Sequence, residues 1–205
     1  MDKITLYYFT VGDSVTRARG ENVKLMLEDA GLDHDYIRPQ RDSWVELKKK
    51  FQDGGAHSST LPCIETSGQR FFKTVPIMRY ISTKLGEKYH GSTPEENQHL
   101  EVVADVSDLW FEHMKNAFFG APELQEKYNN ETLPAQIILF EKYYSDREGP
   151  YVLGEKLTYP DFLVYHMIDD NQYRDKLTGV APNLVKFVEA FEERPNIKKY
   201  FASLK

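Results

Sequence analysis

A mixed α/β domain followed by an all-helical domain is the architecture this sequence predicts, and two observations carry the prediction. Over residues 1–86, short aromatic and β-branched runs alternate with segments of helical period, whereas from Pro94 onward only the helical period remains. Gly86 to Thr93 separates the two patterns, so the expected domains are residues 1–86 and 94–205.

Ile4 to Phe9 reads as a strand bounded by the Gly12-Asp13-Ser14 loop. Glu21 to Ala30 sets Val23, Met26, Leu27 and Ala30 at helical spacing, and Gly31 follows as a stop. Asp35 to Arg38 is a second strand. Trp44 to Phe51 is a short helix carrying Lys48-Lys49-Lys50 and closed by Asp53-Gly54-Gly55. Leu61 to Glu65 and Gln69 to Phe72 flank Thr66-Ser67-Gly68 as a hairpin. Val75 to Leu85 is a helix with Pro76 in its first turn, where a missing N–H costs little. The order is therefore β-α-β-α-β-β-α. Helices are then expected at about 94–119, 123–129, 132–148, 160–174 and 182–192, with a short one near 195–203. Thr158-Tyr159-Pro160-Asp161 is a capping-box pattern, and Leu157 and Phe162 stand at the spacing of a hydrophobic staple. A cap of this kind contributes ~1 kcal/mol.

Composition excludes several classes of function. With 205 residues, 40% hydrophobic and 28% charged, the chain has the make-up of a globular protein. A formal charge of -6 argues against a nucleic-acid partner, because neutralising phosphates takes a basic surface. Cys63 is the sole cysteine, so neither an intrachain disulfide nor a cysteine-based zinc site is available, which fits a reducing compartment. Met1-Asp2-Lys3-Ile4 runs directly into a strand, so no signal peptide is expected. No apolar stretch approaches the ~18 residues of a membrane span. A cytoplasmic protein with no metal, membrane or nucleic-acid partner is expected.

Five sequence fragments, in this order and at these spacings, carry a resemblance. They are Tyr7-Tyr8-Phe9, Arg17-Ala18-Arg19-Gly20-Glu21, Leu61-Pro62-Cys63-Ile64-Glu65, Lys73-Thr74-Val75-Pro76-Ile77-Met78-Arg79-Tyr80-Ile81 and Gly154-Glu155-Lys156-Leu157-Thr158-Tyr159-Pro160-Asp161-Phe162. Over essentially the whole chain the sequence resembles the cytosolic glutathione transferases, closest to the tyrosine-type (alpha, mu, pi and sigma) classes. The resemblance implies a thioredoxin-like glutathione-binding domain followed by the family's helical domain. It also implies glutathione as co-substrate, a small hydrophobic electrophile as second substrate, and a homodimer.

The residues can be assigned in those terms. A free thiol has a pKa of ~8.5, so a fixed hydroxyl donor is needed to hold glutathione as thiolate at neutral pH. By resemblance Tyr8 is that donor, while Tyr7 points to the opposite face of the strand; Ser14 in the adjacent loop is the alternative hydroxyl. Leu61-Pro62 matches the family's cis-proline, where the Leu61 backbone pairs with the cysteinyl segment of glutathione, with Thr60 beside it. Thr74 is expected to cap the next helix and, with Lys73, to present the helix N-terminus to the γ-glutamyl carboxylate. Trp44 and Lys50 fall where the glycine carboxylate is held, although the lysine run reads equally as a solvated face. Arg19 corresponds to an arginine near the thiolate, or lies at the surface. Asp108 resembles the acid that reaches the γ-glutamyl amine across the dimer interface, or is a solvated helix carboxylate. An electrophile site is expected between the domains, lined by Phe9, Thr10 and Val11 and by Met114 and Phe118; such an i, i+4 pair also suits a core.

The sequence departs from the family where Lys73 replaces the usual glutamine and Thr74 the commoner serine. The loop Thr10 to Thr16 and the segment Gly54 to Thr60 are also longer. These departures bear on substrate class rather than fold. A non-catalytic member of the fold, structural or regulatory, is the rival to the enzyme reading, and a glutathione-dependent isomerase or peroxidase is a further alternative. Retention of Tyr8 and Thr74 favours the enzyme. A cysteine-type reductase is disfavoured because Cys63 follows the proline.

Overall fold

Alternation along the first strand organises the N-terminal half. β1 (Ile4–Tyr7) buries Ile4 and Leu6 on one face and leaves Thr5 and Tyr7 half-buried on the other. The computed structural model describes residues 2–12 and 14–204, so Asp13 of the expected loop lies outside the described residues. β1 pairs in parallel with β2 (His34–Ile37) and antiparallel with β3 (Cys63–Thr66), which pairs antiparallel with β4 (Gln69–Phe72). The mixed sheet has the order β2-β1-β3-β4.

Helices α1 (Arg19–Ala30) and α3 (Thr74–Lys84) supply buried Val23, Met26, Leu27, Ile77, Met78 and Ile81 to the same core as Ile4 and Leu6. Gly31 ends α1 in the left-handed conformation, satisfying the last carbonyls through its N–H. Helix α2 (Arg41–Asp53) turns Trp44, Leu47 and Phe51 inward at helical spacing. Phe51 gathers the rings of Tyr7, Trp44 and Phe72 at 5.6, 6.1 and 6.1 Å.

The chain divides into two compact units, and the division cuts across sequence order. One unit runs up to Lys88 and resumes at Arg194; the other is Tyr89–Glu193. The sequence pattern groups residues 94–205 together, but the last helix α9 (Pro195–Ser203) packs on α1. Specific polar contacts explain the grouping. Arg194 forks onto the Asp29 carboxylate with one bond of 2.9 Å, and Asn196 donates to the Asp29 carbonyl at 3.1 Å. Tyr200 donates to the buried Glu21 carboxylate at 2.8 Å. A periodicity reading sees only that α9 is amphipathic, not which unit its apolar face covers.

The second unit is helical throughout. α4 (Pro94–Phe118) starts at Thr93, whose hydroxyl accepts from the Glu96 N–H at 3.1 Å. α5 (Pro122–Lys127) leads through a π-helical turn, Tyr128–Thr132, into α6 (Leu133–Ser145). That turn brings the Tyr128 hydroxyl to bridge Trp110 Nε1 at 2.9 Å and Asn171 Oδ1 at 2.7 Å. α7 (Tyr159–Asp170) is buried continuously from Tyr159 to Ile168. Its capping box forms as the sequence expects, with Asp161 accepting from the Thr158 N–H at 2.6 Å and the Thr158 hydroxyl at 2.7 Å. The same carboxylate also takes the Val152 N–H and the Tyr144 hydroxyl, and burial nonetheless pushes its pKa up. α8 (Pro182–Glu192) completes the unit.

Candidate functional site

Several of the expected residues converge on the ends of β1 and β3 and the start of α3. Tyr8 follows β1 and continues its pairing, its N–H donating to the Ile37 carbonyl at 3.2 Å. By alternation its side chain joins Ile4 and Leu6 on the α1 face, where it is 9% exposed. Gly20 makes this placement possible, since a Cβ there would stand 2.5 Å from the Tyr8 Cβ and Cγ and closer still to the Tyr36 hydroxyl. Tyr7 points the other way, edge-on to Phe51, and burial raises its phenol pKa.

The Leu61–Pro62 bond is cis, as the resemblance implies, with Leu61 half-buried and Pro62 buried. Beside it Thr60 holds a buried hydroxyl oxygen that makes no hydrogen bond among the described residues. Thr74 is the first residue of α3 and does not cap it: Lys73 occupies the N-cap place, and no side-chain cap bond forms. The Thr74 side chain is instead 3% exposed, with its hydroxyl oxygen unpartnered. Lys73 is exposed, with φ 72°, a left-handed conformation unusual for a residue with a side chain. A buried unsatisfied hydroxyl, free helix N–H groups and a lysine thus meet at one place, suited to a carboxylate.

Trp44 is half-buried, with its ring edge-on to Phe9 at 5.7 Å, whereas Lys50 is exposed. Arg19 is the first residue of α1 and half-buried. The loop after β1 turns at Gly12 (φ 60°) and closes with the Ser14 N–H donating to the Val11 carbonyl. The Ser14 hydroxyl is engaged with Thr16 Oγ1 at 3.3 Å. Thr10 is exposed and Phe9 and Val11 are half-buried. In the helical unit Asp108 and Met114 are half-buried on α4, and Phe118 is 55% exposed beside Phe119.

Three residues important to this region escape the sequence reading: Gly20, Tyr36 and Arg38. The Arg38 guanidinium lies 3.9 Å from the Tyr36 ring centroid and donates to the Val15 carbonyl, tying the loop to the end of β2. Gly20 stands in one of the motif fragments, just ahead of the expected helix, but no local pattern shows that its missing side chain is what admits the Tyr8 and Tyr36 side chains. Among the described residues no group of three or more His, Cys, Asp and Glu is arranged to hold a metal ion. No described helix is long and apolar enough to cross a membrane.

A four-stranded β2-β1-β3-β4 sheet with a cis-proline opening β3, together with an all-helical unit, defines a glutathione transferase fold. Residues 108–204 match the family described as glutathione S-transferase, C-terminal domain. Glutathione S-transferase P 10 of Caenorhabditis elegans is 29% identical, the alignment covering 98% of this chain and 91% of that protein. The class-mu 26 kDa isozyme 7 of Fasciola hepatica is also 29% identical, over 91% of this chain and 85% of its own length. The solved pi-class glutathione S-transferase of Onchocerca volvulus shares the fold with a TM-score of 0.83 at 23% identity, covering 98% of this chain and 92% of that one. The family-model match, the curated relatives and the solved structures together support membership of the cytosolic glutathione transferase family.

Proposed function

We propose that the protein conjugates glutathione to a small hydrophobic electrophile, with the Tyr8 hydroxyl donating a hydrogen bond to the thiolate. The observation that carries this reading is the Thr74 hydroxyl, 3% exposed and unpartnered at the start of an 11-residue helix beside Lys73. An orphaned buried donor costs ~1–3 kcal/mol, and a bound carboxylate would remove that penalty. In this reading Thr74 and Lys73 hold the γ-glutamyl end, the Leu61 backbone beside cis-Pro62 pairs with the cysteinyl segment, and Trp44 and Lys50 face the glycine end. Arg19 and Thr60 flank the thiol. A hydrogen bond to the thiolate lowers the thiol pKa, and a lowering of ~2 units raises the reactive fraction at pH 7 more than tenfold.

Phe9, Thr10 and Val11 contribute to the electrophile site in the same proposal. It includes a cytoplasmic homodimer in which Asp108 reaches the partner's γ-glutamyl amine. Calorimetry with glutathione tests the binding half, and an absence of binding at millimolar ligand would remove it. Tyr8→Phe tests the chemical half: thiolate absorbance of bound glutathione and conjugation rate both fall at least tenfold. Should Ser14→Ala produce that loss instead, the donor is Ser14.

A further inference from the structure

Three elements of the N-terminal unit meet at one ammonium group that the candidate site does not use. Lys24 of α1 pairs with Glu28 one turn further along the helix and hydrogen-bonds His34 Nε2 of β2 at 2.8 Å. Its Nζ also stands 4.9 Å from the ring centroid of Tyr200 in α9. The Lys24 and His34 side chains are only 15% and 6% exposed, so water has little access to replace either contact.

The hydrogen bonds fix the state of the imidazole. Nδ1 lies 2.6 Å from the Leu32 carbonyl, which can only accept, so Nδ1 carries the hydrogen. In the neutral ring Nε2 then keeps a lone pair, and that lone pair takes the Lys24 ammonium. A proton added at Nε2 would turn this acceptor into a donor and set two cations 2.8 Å apart. Lys24 and Glu28 face the ring from α1, with the Glu28 carboxylate 3.7 Å from Nε2, and Asp33 precedes it in the chain. β1 places the apolar Ile4 opposite His34, and Asp35, on the other face of β2, is paired with Lys3. α9 presents Tyr200, whose hydroxyl is already given to Glu21. Burial pulls the His34 pKa below its ordinary 6.5; the Leu32 carbonyl, Glu28 and Asp33 oppose that pull, and Lys24 adds to it.

We propose that His34 is an acid-operated release for α9: neutral, it holds the Lys24 ammonium against the Tyr200 ring; protonated, it expels that ammonium and loosens the C-terminal helix. The proton comes from water and forms one N–H bond at Nε2, and the Lys24 hydrogen bond to that atom is what breaks. Glu28 then stands between an imidazolium and an ammonium and pairs with one at the expense of the other. Between 6.5 and the lower folded value, the unfolded chain binds a proton that the folded chain refuses. Stability therefore falls as pH falls, by up to about tenfold in the folding constant per pH unit. The inference is independent of the transferase reading, because it invokes none of the residues assigned to glutathione.

An NMR titration of the full chain follows its six imidazoles, and His34→Gln identifies the resonance that belongs to His34. In the parent that ring is expected to titrate below 6.5. Lys24→Met removes the repelling cation and should raise the His34 pKa, whereas Glu28→Gln removes the attracting carboxylate and should lower it. Amide exchange in α9, corrected for its intrinsic pH dependence, should be about tenfold faster near pH 5 than near pH 7.5 in the parent. In His34→Gln the same change of pH should alter it less than about twofold. A His34 pKa at or above 6.5, a pKa that neither substitution moves, or equal acid sensitivity of α9 in parent and His34→Gln each overturns the inference. Should Lys24→Met or Glu28→Gln fail to fold, the parent titration and the exchange of α9 still decide it.

Discussion

The Tyr200 hydroxyl donates to the Glu21 carboxylate at 2.8 Å across 179 positions of sequence, and that carboxylate is only 2% exposed. Glu21 directly follows Gly20, the residue against which Tyr8 packs, so α9 is tied to the part of α1 that supports the proposed thiolate donor. Hydrogen bonds to buried charges contribute ~1.5–3 kcal/mol, because removing the donor leaves a desolvated carboxylate behind. Tyr200→Phe is therefore expected to lower stability by about 2 kcal/mol in urea unfolding at constant m-value. An unchanged midpoint would mean that the bond contributes nothing.

Gly20 gives a second prediction, and here two effects oppose each other. Alanine within a helix is favoured over glycine by ~1 kcal/mol, which alone would make Gly20→Ala stabilising. The added Cβ would stand 2.5 Å from the Tyr8 Cβ and Cγ. Overlap with the root of a side chain cannot be relieved by rotating its far end, and overpacking of this kind costs ~1–3 kcal/mol. The variant is expected to be less stable than the parent and to shift Tyr8, visible as a lower Tm and an altered tyrosine spectrum. A raised Tm would show that α1 and β1 separate freely.

Two positions further back, the chain departs from what its own backbone asks for. Ala18, the N-cap of α1, sits at φ 64°, ψ -172°, a region that glycine enters readily and that costs other residues ~1–3 kcal/mol. Ala18→Gly relieves the strain but adds ~0.4–1 kcal/mol of unfolded-state entropy. The balance favours the variant by about 1 kcal/mol, measured as a higher urea midpoint. A midpoint at or below the parent's would show that the strain is already relaxed by the surrounding loop.

These cases indicate where the sequence is readable and where it is not. Strand and helix boundaries follow from period and punctuation: Gly31 after α1, Pro76 in the first turn of α3, and the capping box Thr158 to Asp161 are each found within a residue or two of expectation. The cis bond at Leu61–Pro62 is expected from the Leu-Pro fragment and the resemblance it carries. What escaped depends on partners distant in sequence. The Tyr200–Glu21 bond, the Arg38 contact with the Val15 carbonyl and the membership of α9 in the first unit leave no local pattern. The π-helical turn at Tyr128–Thr132 is equally silent, since it shifts one hydrogen-bond register without changing the run of apolar residues. In the candidate site, residue types at Tyr8, Thr74 and Trp44 were legible, but the unpartnered state of the Thr74 hydroxyl was not, because it depends on what else fills the space.

Cys63 supplies a prediction that joins pH to folding. It is fully buried in β3, opposite Tyr7, and burial pushes its thiol from an ordinary 9.0 to about 12. Below pH 9.0 folded and unfolded chains both keep the proton, and the group leaves stability unchanged. Between 9.0 and about 12 the unfolded chain releases a proton that the folded chain retains, so stability falls as pH rises, at up to ~1.4 kcal/mol per pH unit. Free tyrosines ionise from ~10, so the interval just above pH 9.0 isolates the thiol. Urea unfolding at successive pH values should show this slope in the parent and its absence in Cys63→Ala, whatever that variant loses at neutral pH. The same burial should keep the thiol from reacting with a disulfide reagent until the protein unfolds, because the thiolate is the nucleophile and the folded state withholds it. Rapid labelling of the folded protein near pH 8, or equal slopes in parent and variant, would show that β3 opens far more readily than its packing suggests.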